Sequence, residues 1–252
     1  MEQNIINKPF KKKINKIWYN IFNDIDKNIW NKTEIGYNKL IIEKKKNIFP
    51  FYKNIFNFTN YIIPEDIKIC IIGQDPYHGI YRDFNKDKDY PEAMGLSFSV
   101  PKKCHIPSSL DNIYKNLLKY NHLLWKPTHG NLSYWSYQGV LMLNSSLTVE
   151  KGKPNSCQNL WNDFTDELIK IISTKYSGII FLLWGKYAYM KKFNNIIKNQ
   201  QNHIFIISSH PSGYSANSPF REFNSFMETD HFGLSNKYLI KQNKKQIDWQ
   251  II

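Results

Sequence analysis

The sequence predicts an α/β domain built on a central, twisted, four-stranded parallel sheet flanked by helices. Three observations carry that expectation. Four short, nearly continuous apolar runs are bounded by turn residues. Apolar stripes at three- and four-residue spacing lie between them. Each run also gives way at once to a polar or glycine-containing segment.

Taken in order, Ile14, Ile17, Trp18, Ile21, Phe22 and Ile25 form the first stripe and predict a helix over 14–25. The run Ile67–Ile72 predicts the first strand and ends in Gly73–Gly79. Leu110, Ile113, Leu117 and Leu118 mark a second helix, and Val140–Leu143 a second strand that ends in Asn144–Ser146. Trp161, Phe164, Leu168 and Ile171 line a third helix ahead of the strand Ile179–Trp184. Gly185 opens a helix expected over 186–198, and the last run, His203–Ile207, ends in Ser208–Ala216. No Pro/Gly/Ser tract and no repeat divides the chain, so it reads as one domain over 1–252, with flexibility expected over 1–13.

The chain has 252 residues, enough to bury a sizeable core. Its 42% hydrophobic content, including 15% aromatics, excludes a disordered chain. Lys and Arg outnumber Asp and Glu by 34 to 21, for a formal net charge of +13. Such a surplus favours a polyanionic partner, nucleic acid first and an acidic membrane surface second. A drift toward Lys, Asn and Ile from an AT-rich coding sequence gives the same surplus, and composition does not separate the two. Cys70, Cys104 and Cys157 are widely spaced and form no CxxC pair, so neither a disulfide framework nor a zinc knuckle is expected. A reducing intracellular compartment is the simpler reading. No apolar stretch approaches the ~20 residues that cross a bilayer. The opening MEQNIINKPFKKK lacks the apolar segment of a secretory signal.

In open parallel sheets, ligands bind beyond the carboxyl ends of the strands. The four polar segments are therefore expected to converge on one edge. They bring Asp75, Tyr77, His78, Asn144, His210 and Ser212 together, with Phe98 nearby. One carboxylate, one or two imidazoles, a carboxamide and two aromatics suit a planar, polar ring: aromatics to stack and wall it, a carboxamide to read its edge. Neither metal-ligand spacing nor a phosphate-binding glycine loop is present.

GQDPYHG at 73–79, GLSFSVP at 95–101, VLMLNSSLTVEKGKPNS at 140–156, FLLWGK at 181–186 and HPSGYSA at 210–216 occur in this order along the chain. Together they resemble the family 1 uracil-DNA glycosylases over most of the length. Weaker echoes are IFPFYKNIFNF at 48–58, IPSSL at 106–110 and IDW at 247–249. The resemblance implies a hydrolase that flips uracil out of single- or double-stranded DNA and leaves an abasic site, with no metal or organic cofactor. It implies that Asp75 positions or deprotonates the attacking water and favours a cationic sugar. His210 would hydrogen-bond uracil O2 as charge builds on the leaving base. Asn144 would pair with N3–H and O4, a pattern cytosine reverses. Tyr77 matches the gate against the thymine methyl and Phe98 the stacking ring. Gln74 is expected to touch the base through its backbone, while His78 reads as a structural residue of the loop. Ser109, Ser212 and Ser215 match positions that pinch DNA phosphates. Outside these motifs, an Asp before Pro is an ordinary turn former and an Asn after a strand an ordinary cap.

Four departures stand out. Tyr214, preceded by Gly213, occupies the intercalating position where Leu is common; it is expected to wedge into the base stack. Residues 80–93 include about ten extra positions beside the catalytic loop. Lys186 stands where Ser is usual and is expected to add a phosphate contact. A further insertion lies around Phe220–Thr229. These insertions motivate an alternative, a DNA-binding replication-accessory protein, and a replication or repair protein is a candidate partner. A glycosylase of altered base range is a third reading, against which Tyr77 and Asn144 argue. A monomer in the cytoplasm or nucleus, acting off the membrane, is expected.

Overall fold

The structure, a computed structural model, describes residues 8–43 and 45–251. Flexibility expected over 1–13 falls partly on 1–7, outside the described residues. Within 8–13, Phe10–Lys13 form a 3-10 turn and Phe10 is buried.

The central sheet contains β2 (Ile69–Gly73), β5 (Val140–Asn144), β7 (Ile180–Trp184) and β8 (Ile204–Ser208), in the order β5-β2-β7-β8. Every neighbouring pair is parallel. The four strands are the four predicted runs, displaced by one or two residues at their ends. β2, β5 and β7 are buried along their whole length, which is why they read as continuous apolar runs. Register sets Gly73 opposite Asn144 and Trp184 opposite Ser208, so the strand ends finish level with one another. From β2 the chain moves outward to β5, then returns past β2 to β7 and on to β8. The order therefore reverses between β2 and β7, where a crevice opens.

Two small antiparallel pairs flank the sheet. β1 (Ile48–Phe49) pairs with β6 (Val149–Glu150). The insertion at 80–93 folds as a hairpin of β3 (Ile80–Asp83) and β4 (Lys88–Pro91). Phe49, Ala93 and Val149 join in a second apolar cluster, with Ile80 against it.

The helices are α1 (Tyr19–Phe22), α2 (Lys27–Asn38), α3 (Ser108–Lys119), α4 (Ser133–Tyr137), α5 (Gln158–Lys175), α6 (Gly185–Phe193) and α7 (His231–Lys241). α3 and α5 are the second and third predicted helices. The single helix expected over 14–25 is instead a 3-10 turn, Lys16–Trp18, running into α1. Asn15 caps the turn by accepting from the Ile17 N–H, which leaves Ile14 extended. Trp18 anchors it by donating its indole N–H to the Ile62 carbonyl at 2.8 Å. α6 stops at Phe193 rather than 198, because Asn195 adopts the left-handed conformation that closes helices. α2 and α7 each start at an aspartate, Asp26 and Asp230, that accepts backbone N–H bonds from the first turn.

An aromatic cluster of Phe10, Trp18, Phe22, Phe56, Trp161 and Phe164 packs the amino-terminal segment onto α5. Phe10 stacks on Trp161 with centroids 5.3 Å apart, and such pairs add about 0.5–1.5 kcal/mol beyond their area burial.

Candidate active site

At the carboxyl edge of the sheet, a cavity of about 330 Å³ is lined by Gly73 to His78, Phe98, Ser109, Asn144, Pro154, Asn155, His210 and Ser212. All four predicted segments reach this edge. Gln74, Asp75, Tyr77, Phe98, Ser109, Asn144, His210 and Ser212 line the one hollow.

The loop after β2 stays tied to β5 as it leaves the sheet. The Gly73 and Gln74 carbonyls accept from the Ser145 and Ser146 N–H groups, both at 2.9 Å, and the His78 carbonyl accepts from Gly152 at 3.0 Å. Gly73 makes room for its neighbour: a Cβ there would lie 2.2 Å from Asn144 Oδ1. Asn144 is thus held at the end of β5, only 7% exposed, with its carboxamide at the cavity wall.

Asp75 is fixed from one side. Its Oδ2 accepts the Asn155 backbone N–H, while Oδ1 is buried with no hydrogen-bond partner among the described residues. Burial holds the carboxyl above its usual range, opposed by the Asn155 and Gln158 hydrogen bonds and the nearby His78. Asn155 is a site residue that sequence reasoning missed. It sits in the left-handed region, and its Oδ1 accepts from the side chains of both Gln74 and Gln158. The turn-forming run KGKPNS was the available signal, but a Pro-Asn turn does not show what its backbone N–H faces.

His210 follows β8. Its Nδ1 accepts the Ser212 backbone N–H at 3.1 Å and lies 2.8 Å from the Ser212 hydroxyl. An Nδ1 that accepts leaves the ring proton of a neutral imidazole on Nε2. Burial lowers its pKa to about 4, so the ring is neutral at physiological pH. Gly185, at the start of α6, leaves room for His210 beside it: its φ is +78°, and a Cβ would sit 2.9 Å from His210 Cβ. Asn112 of α3 donates to the Pro211 carbonyl at 2.8 Å and fixes the same turn.

The walls are aromatic. Phe98 holds a left-handed backbone, φ +61°, an uncommon state for a bulky residue. Its ring packs 5.3 Å from Trp184 and 5.7 Å from His210. The Tyr77 hydroxyl donates to the Phe98 carbonyl at 3.4 Å. Burial and the Glu92 carboxylate raise the Tyr77 phenol, which stays protonated.

Three predicted DNA-contacting residues lie outside this lining. Lys186, exposed at the start of α6, borders an adjoining hollow shared with Gln74, His210 and Ser212. Tyr214 is 96% exposed in the turn beyond His210, with Ser215 exposed beside it. The insertion around Phe220–Thr229 packs behind that turn, where the Phe226 N–H donates to Ser209 Oγ at 2.8 Å. No group of three metal-ligating side chains lies in this cavity among the described residues.

The sequence profile described as the uracil DNA glycosylase superfamily matches residues 60–229. A uracil-DNA glycosylase of Blochmanniella floridana is 44% identical over 214 residues, 84% of this chain and 85% of that one. A probable uracil-DNA glycosylase of Acanthamoeba polyphaga mimivirus is 38% identical over 221 residues, 83% of this chain and 58% of that one. The crystal structure of mimivirus uracil-DNA glycosylase superposes with a TM-score of 0.87 at 35% identity, over 96% of this chain and 89% of that one.

Proposed function

Since the chain belongs to the uracil-DNA glycosylase superfamily, we propose that the cavity at the sheet edge receives a uracil flipped out of DNA and is where its N-glycosidic bond is hydrolysed. The protein is a DNA repair glycosylase, a hydrolase of N-glycosyl bonds; a purely accessory DNA-binding role is not favoured.

The observation that carries the site assignment is the shared lining of Asp75, Asn144, Phe98 and His210, with His210 Nδ1 accepting the Ser212 N–H. As the bond between C1′ and N1 breaks, positive charge grows on the sugar and negative charge on the base. Asp75 faces the first with an unpartnered oxygen and orients the water that adds to C1′. His210 meets the second by donating from Nε2 to O2; a neutral donor needs no compensating charge. Asn144 pairs with N3–H and O4, Tyr77 fills the space a thymine methyl would need, and Phe98 stacks on the ring. The Gln74 backbone adds a contact to the base. Ser109, Ser212, Ser215 and Lys186 hold phosphates, and Tyr214 enters the gap left by the base. The enzyme acts as a monomer on single- and double-stranded DNA inside the cell, in cytoplasm or nucleus, with a replication or repair protein as candidate partner. Among the described residues no helix is long and apolar enough to cross a membrane.

Uracil release from single-stranded, U·G and T·G substrates, with and without EDTA, tests this reading. Release from the uracil substrates alone, unaffected by chelation, is expected. Asp75→Asn should lower single-turnover rates by about 10²–10⁴, and His210→Leu by about 10²–10³. Rates indifferent to both substitutions would remove the assignment.

A further inference from the structure

Away from this cavity, Glu92, Cys104 and His105 offer one ligand atom each, all within 4.8 Å of one another. His105 Nε2 lies 3.4 Å from Glu92 Oε1, and Cys104 Sγ lies 4.0 Å from His105 Nδ1. Glu92 and Cys104 are buried, while the His105 imidazole is exposed. Sequence spacing gave no hint of the group, because Glu92 ends the inserted hairpin and the other two residues belong to the segment before α3.

The donor set is diagnostic. A thiol and an imidazole do not suit magnesium or calcium, which take oxygen, whereas one S, one N and one O suit zinc. Ligand distances of ~2.0–2.3 Å place tetrahedral donors ~3.4–3.6 Å apart. A single ion takes one ring nitrogen of His105, and with the three donor atoms already within 4.8 Å of one another, rotation of the exposed ring brings that nitrogen to this spacing. The side of His105 that faces solvent leaves a fourth position for water.

We propose that Glu92, Cys104 and His105 bind a zinc ion that staples the end of the inserted hairpin to the segment before α3. Binding forms Zn–O, Zn–S and Zn–N bonds, and the thiol proton leaves to solvent. Three pieces of chain meet here. The Glu92 N–H donates to the Gly79 carbonyl at 3.1 Å, and the Glu92 carboxylate packs directly against Gly79, the last residue of the GQDPYHG run. On the far side, Lys103 bridges to Asp83 of β3, with both contacts at 3.2 Å. A metal at the junction fixes the hairpin base against both neighbours. The proposal does not depend on the assignment of the hydrolytic cavity, although Glu92 also lies close enough to act on the Tyr77 phenol.

The test titrates metal-free full-length protein with zinc chloride by calorimetry, and with cobalt(II) by absorption. One equivalent should bind, and cobalt should show thiolate-to-metal charge transfer. Cys104→Ser should abolish that absorption and weaken zinc by more than about 100-fold, since even outer partners of a metal ligand are worth 10–100-fold. His105→Ala changes only an exposed side chain, so it separates loss of metal from loss of fold. It should keep uracil release and lose the rise of several degrees in Tm that zinc at ~100 Kd gives the parent protein. Absence of saturable binding, or an undiminished equivalent in either variant, would overturn the proposal.

Discussion

Asp75 and His210 face the same cavity, and burial moves their proton affinities in opposite directions, up for the acid and down for the base. Both shifts favour the neutral form, with different results for function. His210 is already neutral above about 4, so it sets no acid limit near its ordinary value of 6.5. The proposed role of Asp75 requires it ionised, and burial holds its carboxyl above the usual carboxylate range. The acid limb of the single-turnover rate should therefore lie above that range and persist in His210→Leu; a limb that vanished with His210 would contradict this. Stability follows the same signs. The raised Asp75 contributes stability below its unfolded value, which is lost as pH rises through its folded one, so the ionised carboxylate is a liability at neutral pH. Asp75→Asn should raise Tm at pH 7, with the gain shrinking on acidification. The depressed His210 works the other way: its contribution is present above 6.5 and lost as pH falls through about 4.

The strands act as rulers for these residues. Gly73 and Asn144 are register partners, and the space above Gly73 is filled by the Asn144 carboxamide. Gly73→Ala should push that carboxamide off its position. KM for uracil-containing DNA is expected to rise and discrimination against cytosine to weaken, while Tm falls by only a few degrees; unchanged base selectivity would argue against Asn144 as the reader. The same elements explain what the sequence disclosed. Runs buried on both faces, such as Ile69–Gly73 and Val140–Asn144, announce themselves by apolar continuity, and the residues just beyond them were found with them. Stripes over α3 and α5 were equally plain, because each helix buries one face. The stripe over 14–25 misled, since its spacing records what is buried but not that Asn15 caps a new turn midway. Asn155 escaped because its contribution is a backbone N–H, which no side-chain pattern encodes. Glu92, Cys104 and His105 escaped because only the hairpin's fold brings them together.

The net charge of +13 belongs to the molecule rather than to any residue. It should steer the protein to DNA, and kcat/KM should fall with salt. The expected log–log slope is about −0.9 per phosphate neutralised on duplex and about −0.7 on single strands. Lys186→Ala should flatten the duplex slope by about one if Lys186 meets a phosphate. An unchanged slope would move that contact elsewhere. The level finish of the four strands has a last consequence, for biosynthesis. The cavity draws on chain from Gly73 to Ser212, and its final strand, β8, lies at the outer edge of the sheet. A nascent polypeptide emerging at ~5–20 residues per second therefore exposes a sheet that lacks only β8, with β7 unpaired on its outer side, for about 1–5 seconds before His210 arrives. Ribosome-stalled chains ending shortly before β8 should accordingly be open to protease attack along β7, and glycosylase activity should switch on only once the residues beyond His210 have cleared the exit tunnel.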